Sequence, residues 1–277
     1  VDWAARILAE YPDLNIVGEE WSVEPPIVAY WQTGKENHDG YASALPSLFD
    51  FPLQKALADA LTADEKPWGS VWTPVYETLS LDHLYPNPFN LVTFVDNHDM
   101  SRLYTVLGND DRRLRMALLL IATMRGIPQV FYGTEINMSH PGTDSHGAIR
   151  SDFPGGWPDD TVDAFTGRGL PARDAEMQSF VSRLFNWRKA ARVVHHGRLM
   201  QFAPKRQVYV FARYDDENVV LAAFNRSDEA AVFEAERYAD VLRGRRMATD
   251  VMSGRRVDIG QRIELPAMSG VLLEVEN

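Results

Sequence analysis

Along roughly the first two hundred residues, short apolar runs alternate with stretches in which apolar positions recur every three to four residues. The opening "VDWAARILAEYP" sets Trp3, Ile7 and Leu8 at helical spacing, and "LNIVG" follows as a strand ending at Gly18-Glu19. "YASALPSLFDF" is a weaker strand candidate, succeeded by the helical "PLQKALADALTADE". "NLVTFVDNHD" predicts a third strand, buried on both faces because Val, Leu and Phe run without alternation. The next segment, "NDDRRLRMALLLIATMRG", reads as a helix with Asn109 or Asp110 as N-cap and Gly126 as stop. Its middle is apolar almost all round, which predicts deep burial. "GIPQVFYG" is a fourth strand ending at Gly133. After a long polar insertion, "DAEMQSFVSRLFNWRKAARVVHHG" carries Met177, Val181, Leu184 and Phe185 on one helical side.

This alternation implies a parallel sheet with right-handed crossovers. The units amount to half of an eight-fold (β/α)8 barrel, since a full one needs roughly 250 residues. After Gly197 the period changes to two. "QVYVFARY" and "NVVLAAFN" flank the turn-forming Asp215-Asp216-Glu217-Asn218 and predict an antiparallel hairpin. "RRMATDVMSGRRVDI" repeats the arrangement around Ser253-Gly254, and "IELPAMSGVLLEV" closes the chain. The expected organisation is a partial barrel over residues 1–197 and an antiparallel β-sandwich over residues 198–277.

Composition narrows the function classes. The net charge of −11, from 28 basic and 39 acidic residues, argues against nucleic acid or an anionic membrane as partner. No apolar run is long enough to span a bilayer. With no cysteine, disulfides and thiolate metal sites are excluded. The chain opens on Val1 inside a helical pattern, so a piece of a longer protein is the expectation.

The unusual polar groups stand at strand ends: Glu19, Glu20 and Trp21 after the first, Asn97, His98 and Asp99 after the third, Tyr132, Gly133 and Glu135 after the fourth. In a parallel barrel these ends open on one face, where active sites sit. Glu19 and Asp99 would then converge. Two carboxyls in one cleft with an aromatic wall suit glycoside hydrolysis, where one carboxyl donates a proton and others stabilise a positive sugar. Singly the signals are weak, because a Gly-Glu after a strand is usually a helix N-terminal acid and a His-Asp a local pair. A metal at His98-Asp99 lacks support, since the other histidines show no ligand spacing around it.

The segments "NIVGEEW" and "FVDNHD" resemble two signature segments of the alpha-amylase superfamily of glycoside hydrolases. "GIPQVFYGTE" resembles that family's segment on the eighth barrel strand, and "IRSDFPGGWPDD" a loop of its neopullulanase and cyclomaltodextrinase branch. Their order and spacing agree over essentially the whole chain, which is thereby expected to hold the second half of the barrel and the domain behind it. The resemblance implies Glu19 as general acid/base and Asp99 as the aspartate that holds the sugar and stabilises the transition state. It implies His98 on sugar hydroxyls, Trp21 as an aromatic face for glucose, and Arg150, Asp152 and Trp157 as substrate contacts. For the long loop the alternative is a Gly/Pro-rich turn held by Trp157. Arg102 is expected to position Asp99 as an ion-pair partner.

The family's nucleophile, an aspartate in an Arg-x-Asp segment, does not stand upstream of Glu19; Asp2 and Asp13 lie in the helix and loop before the strand. No glycosyl-enzyme can form without it, so this polypeptide alone is expected to be inactive. No cofactor is required by the residues present, and calcium is implied only for the full-length parent. The expected partner is an α-glucan oligosaccharide or polysaccharide, with α-1,4 and also α-1,6 links. Self-association through the open half-barrel edges is expected as well. The alternative is a non-catalytic amylase-like module that binds sugar or protein. A bacterial periplasmic or cytoplasmic setting is all the resemblance suggests for location.

Overall fold

The computed structural model describes residues 2–65 and 68–277. Helix α1 (Asp2–Glu10) leads into strand β1 (Val17–Gly18), and then come α2 (Pro25–Tyr30), β2 (Ser47–Leu48), α3 (Phe51–Thr62) and α4 (Thr73–Ser80). Strand β3 (Val92–Phe94), α5 (Leu103–Val106), α6 (Asp111–Thr123), β4 (Ile127–Gln129), α7 (His146–Ile149), α8 (Ala172–Ala190) and α9 (Arg192–His196) complete the region. β1 pairs with β2 and β3 with β4, both parallel, and a parallel bridge from Phe49 to Val92 joins the pairs. The four strands therefore lie side by side in chain order, as one half of a barrel. The apolar runs are longer than the ladders, because only residues where neighbouring strands overlap exchange backbone hydrogen bonds. Inner β2 and β3 are wholly buried, whereas outer β1 and β4 are part exposed.

α6 shows why its middle is apolar all round. Leu114, Met116 to Ile121 and Ala122 are buried, packed among α3, α8 and the C-terminal sheet. Asp110 caps it, accepting from the Arg112 and Arg113 amides at 2.8 and 3.4 Å. Gly126 turns the chain into β4 at φ +102°, and a Cβ there would lie 2.6 Å from the Leu91 carbonyl oxygen. A buried ion-pair network ties the region together. Arg125 donates to Asp50 at 2.5 Å and to Asp82 at 2.6 Å, and Asp50 itself caps α3 through the Leu53 amide at 3.1 Å.

The C-terminal region is an antiparallel six-stranded sheet facing a two-stranded ribbon. β5 (Arg198–Lys205), β6 (Val208–Tyr214), β7 (Val219–Asn225), β9 (Met247–Asp250), β10 (Arg256–Asp258) and β12 (Ser269–Val275) lie in the order β10-β9-β12-β7-β6-β5. β8 (Ala231–Glu234) and β11 (Arg262–Leu265) form the ribbon, and α10 (Ala239–Leu242) lies between β8 and β9 in the chain. Both predicted hairpins are present, as β6–β7 and β9–β10. The last predicted strand is in fact two strands in different sheets. Pro266 cannot continue a ladder, and Met268 takes φ +46° before β12 starts.

β7 is buried along its whole length because each face of the sheet packs on something. Leu221 and Ala223 face the ribbon with Phe233 and Ile263, while Ala222 and Phe224 face the barrel helices. Buried arginines fasten the sheet to those helices. Arg213 donates to the Thr123 and Met124 carbonyls at 3.1 and 3.0 Å, beyond the end of α6. Arg226 donates to Leu61 and Ala63 at 3.0 and 3.1 Å, at the end of α3. Both satisfy carbonyls that a helix C-terminus leaves without partners. Gly197, where the pattern changes, has no room for a side chain: a Cβ would stand 2.4 Å from the Val193 carbonyl oxygen.

Candidate active site

Parallel pairing in chain order sends the carboxyl ends of β1 to β4 to one rim. Glu19 follows β1 directly and is exposed. Asp99 lies five residues past β3, two strands across, a lateral spacing of about 10 Å. Between them runs an aromatic bridge. Trp21 stacks on Phe51 at 4.8 Å between ring centroids, and Phe51 meets Phe94 edge-on at 5.1 Å. One face of the Trp21 indole is thus held, and the side chain stays half exposed.

The "DNHD" quartet divides in two. Asp96 and Asn97 turn inward and His98 and Asp99 outward. Asp96 is buried, accepting from the Leu103 amide at 2.8 Å and the Thr134 hydroxyl at 3.0 Å, and burial pushes its carboxyl up to about 6. Asn97 accepts from the Asp99 amide at 2.8 Å and so fixes the bend that presents Asp99. The inner pair builds the turn; the outer pair stays at the surface.

Both Asp99 oxygens are engaged. His98 Nε2 lies 3.2 Å from Oδ2, and Arg150 Nη2 donates to Oδ1, with His146 Nδ1 3.8 Å away. Arg150 also donates through Nε to the His98 carbonyl at 2.8 Å and lies 2.9 Å from His146 Nδ1. The substrate-contact residues expected on the long loop therefore separate. Arg150 is bound to Asp99, while Asp152 and Trp157 are exposed on the loop.

Two expectations need correction. Arg102 does not pair with Asp99. It is buried, donates to the Ile149 carbonyl at 3.1 Å and to the Tyr132 carbonyl, and its guanidinium sits 4.1 Å over the Phe131 ring. From the start of α5 its side chain reaches the segment that follows β4 and the end of α7 rather than Asp99. Nor does Trp157 hold its loop by packing, for it is 69% exposed. The loop is held by its backbone instead, through Ala164 N to Pro154 O at 2.9 Å and Asp163 N to Arg168 O at 2.8 Å.

Sequence reasoning did not single out Asp96, Thr134 or His146; it named Tyr132 only as a strand-end group, and the structure shows its hydroxyl donating to the Ser151 carbonyl at 3.0 Å. Of the first three, only Asp96 left a trace, as a charged residue closing an apolar run. Among the described residues no three His, Asp or Glu side chains gather so as to hold a metal ion. No helix among the described residues is long and apolar enough to cross a membrane.

Comparison with known proteins places this geometry in a family. Residues 1–195 match the family model described as alpha amylase, catalytic domain, and residues 199–274 match the cyclo-malto-dextrinase C-terminal domain. A cyclomaltodextrin glucanotransferase of Geobacillus stearothermophilus is 27% identical over 77% of this chain and 27% of its own length. An alpha-amylase of Niallia circulans is 32% identical over 49% of this chain and 22% of its own. Among solved structures, the alpha-amylase of Geobacillus thermoleovorans in complex with acarbose superposes with a TM-score of 0.77 at 19% identity, over 100% of this chain and 56% of that one. The Nostoc punctiforme debranching enzyme superposes with a TM-score of 0.67 at 19% identity, over 99% of this chain and 53% of that one. At such identities the superpositions show the fold alone. The chain spans about a quarter of the curated relatives it matches and about half of the solved ones. With 195 of its 277 residues matched by the catalytic-domain model and most of the remainder by the domain that follows it, the chain belongs to the alpha-amylase family.

Proposed function

We propose that the chain is the C-terminal part of a retaining glycosidase acting on α-glucans, of the neopullulanase or cyclomaltodextrinase type. α-1,4 glucosidic bonds are its main target, and α-1,6 bonds a second. Glu19 is the general acid/base: exposed at the end of β1, it can deliver a proton to a leaving glycosidic oxygen. Asp99 and His98 bind sugar hydroxyls on the opposite side of the cleft, and the free face of Trp21 takes a neighbouring glucose. The observation that carries this reading is that Glu19 and Asp99 follow β1 and β3, with one strand between them in a single parallel array, so both stand on its carboxyl rim.

A retaining mechanism needs a second carboxyl about 5–5.5 Å from the acid, to attack the anomeric carbon. No Arg-x-Asp segment precedes β1 in the 277-residue chain. The chain alone is therefore without turnover and gains it when joined to the barrel strands that carry the attacker. The open outer sides of β1 and β4, where Val17 and Ile127 are 42% and 47% exposed, favour self-association when those strands are missing. Reducing-sugar release from cyclodextrin and pullulan tests the assignment. We expect none from this chain and full rates from the longer protein, with Glu19→Gln and Asp99→Asn each lowering the longer protein's kcat by a factor of at least about 10². Turnover by the chain alone, or an active Glu19→Gln enzyme, would refute it. Sedimentation at micromolar concentration checks the association, and a stable monomer counts against it.

A further inference from the structure

The engagement of Asp99 by Arg150 bears on how sugar reaches the site, and the inference rests on the sugar-binding role just proposed for Asp99. The loop that carries Arg150 is fixed from beneath and part exposed above. Beneath it, Arg102 is buried and holds the Ile149 carbonyl at 3.1 Å, and Tyr132 holds the Ser151 carbonyl at 3.0 Å. The residues on either side of position 150 are thereby anchored to the ends of β3 and β4. Above, the Arg150 side chain is 43% exposed and reaches over the bend to Asp99 Oδ1 and the His98 carbonyl. A sugar hydroxyl donating to Asp99 Oδ1 competes with Arg150 for that oxygen, while the other oxygen faces His98 Nε2 at 3.2 Å.

We propose that Arg150 is a latch on the substrate site. It holds Asp99 in the absence of sugar, and a maltooligosaccharide binds by displacing its guanidinium while the backbone of the loop stays in place. His146, 2.9 Å from Arg150 Nη2, receives the released side chain. A direct sugar contact by Arg150 makes the opposite prediction, so the sign of one substitution separates the two roles.

The test uses the 277-residue chain and its Arg150→Met, Asp99→Asn and doubly substituted forms, with maltoheptaose as the probe in calorimetric titration. The latch predicts that Arg150→Met binds about threefold more tightly, the scale of an ion pair whose partners are both part exposed. It also predicts that this gain vanishes in the Asp99→Asn background. Weaker binding by Arg150→Met would overturn the latch in favour of direct contact. Amide hydrogen exchange without sugar gives a second readout. Asp99→Asn and Arg150→Met should each speed exchange at residues 98–100, and the double form no more than either single. No acceleration, or additive acceleration, overturns the latch. Absence of sugar binding by every form would overturn the sugar-site reading and the latch with it, whereas binding unchanged in Arg150→Met would overturn the latch alone.

Discussion

Two buried arginines, one in each region of this chain, are satisfied in different ways. In the half-barrel, Arg125 is enclosed between carboxylates, Asp50 at 2.5 Å and Asp82 at 2.6 Å. In the sheet, Arg213 is equally buried yet donates only to the carbonyls of Thr123, Met124 and Gly197. The first arrangement balances charge with charge. The second spends a charge on finishing a helix, and burial together with repulsion from Arg188 and Arg125 pushes the Arg213 guanidinium down to about 10. The difference teaches what each arginine leaves behind when removed. Without Arg125 two acids are stranded in the interior, whereas without Arg213 only neutral carbonyls lose partners.

The largest expected effect follows directly. Arg125→Met should cost about 3–5 kcal/mol of unfolding free energy at pH 7, because a buried charge loses its compensation. Burial already holds the Asp82 carboxyl above its ordinary value against the pull of Arg125. Acid should therefore lessen the loss, as protonation relieves the stranded carboxylates. Urea unfolding at pH 7 and pH 4.5 measures both, and a loss unchanged between them would break the contrast.

Asp96 sharpens it from the other side, as a buried acid in the half-barrel without a cation donating to it. Arg102 acts on it through space but gives its hydrogen bonds to carbonyls. With its carboxyl held at about 6 by burial, the folded state retains a proton that the unfolded chain releases from about pH 4 upward. The stability contributed by this group is therefore full at low pH and lost as pH rises through 6, a fall of about 3 kcal/mol. Asp96→Asn should flatten the stability profile between pH 4 and pH 7. An unchanged slope would show that the proton belongs elsewhere.

Arg213→Met comes next, at about 2 kcal/mol, the scale of leaving buried carbonyls unpaired. Unlike the Arg125 loss, this one should not vary between pH 4.5 and pH 7, because nothing it exposes titrates there. Comparing the two substitutions in a single denaturation series distinguishes charge balance from helix capping.

How far these arrangements were legible in the sequence follows from the distance over which each is made. The hairpin β6–β7 rests on neighbours in the chain, and its period and turn residues announce it. The half-barrel was legible through its apolar runs and their polar ends, although β1 and β2 are ladders of only two residues. What was lost lies in long-range side-chain geometry. Arg125 and Asp50 are 75 positions apart, and Arg150 and Asp99 are 51 apart. Nothing local marks either pair. Arg102 was misassigned for the same reason: sequence proximity to Asp99 says nothing about which way the chain turns at Leu103. The candidate carboxyls could be proposed because their strand ends are themselves local signals.

The smallest prediction concerns a place where sequence left two choices open, the start of α6 at Asn109 or Asp110. Asp110 accepts two amides of the first turn, whereas Asn109 stands at φ +60°, outside the helix. Asp110→Ala should therefore cost about 1 kcal/mol, the usual worth of an N-cap. Asn109→Gly should stay within about 0.5 kcal/mol, because glycine takes positive φ without steric cost. α6 lies against both regions, with Leu119 in the same cluster as Phe224 and Leu272 of the sheet. Fraying at its first turn should therefore lower the unfolding midpoint of the half-barrel and the sheet together. If Asp110→Ala shifts the half-barrel alone, the sheet folds on its own, and the carbonyls at the other end of α6 are not what join the two regions.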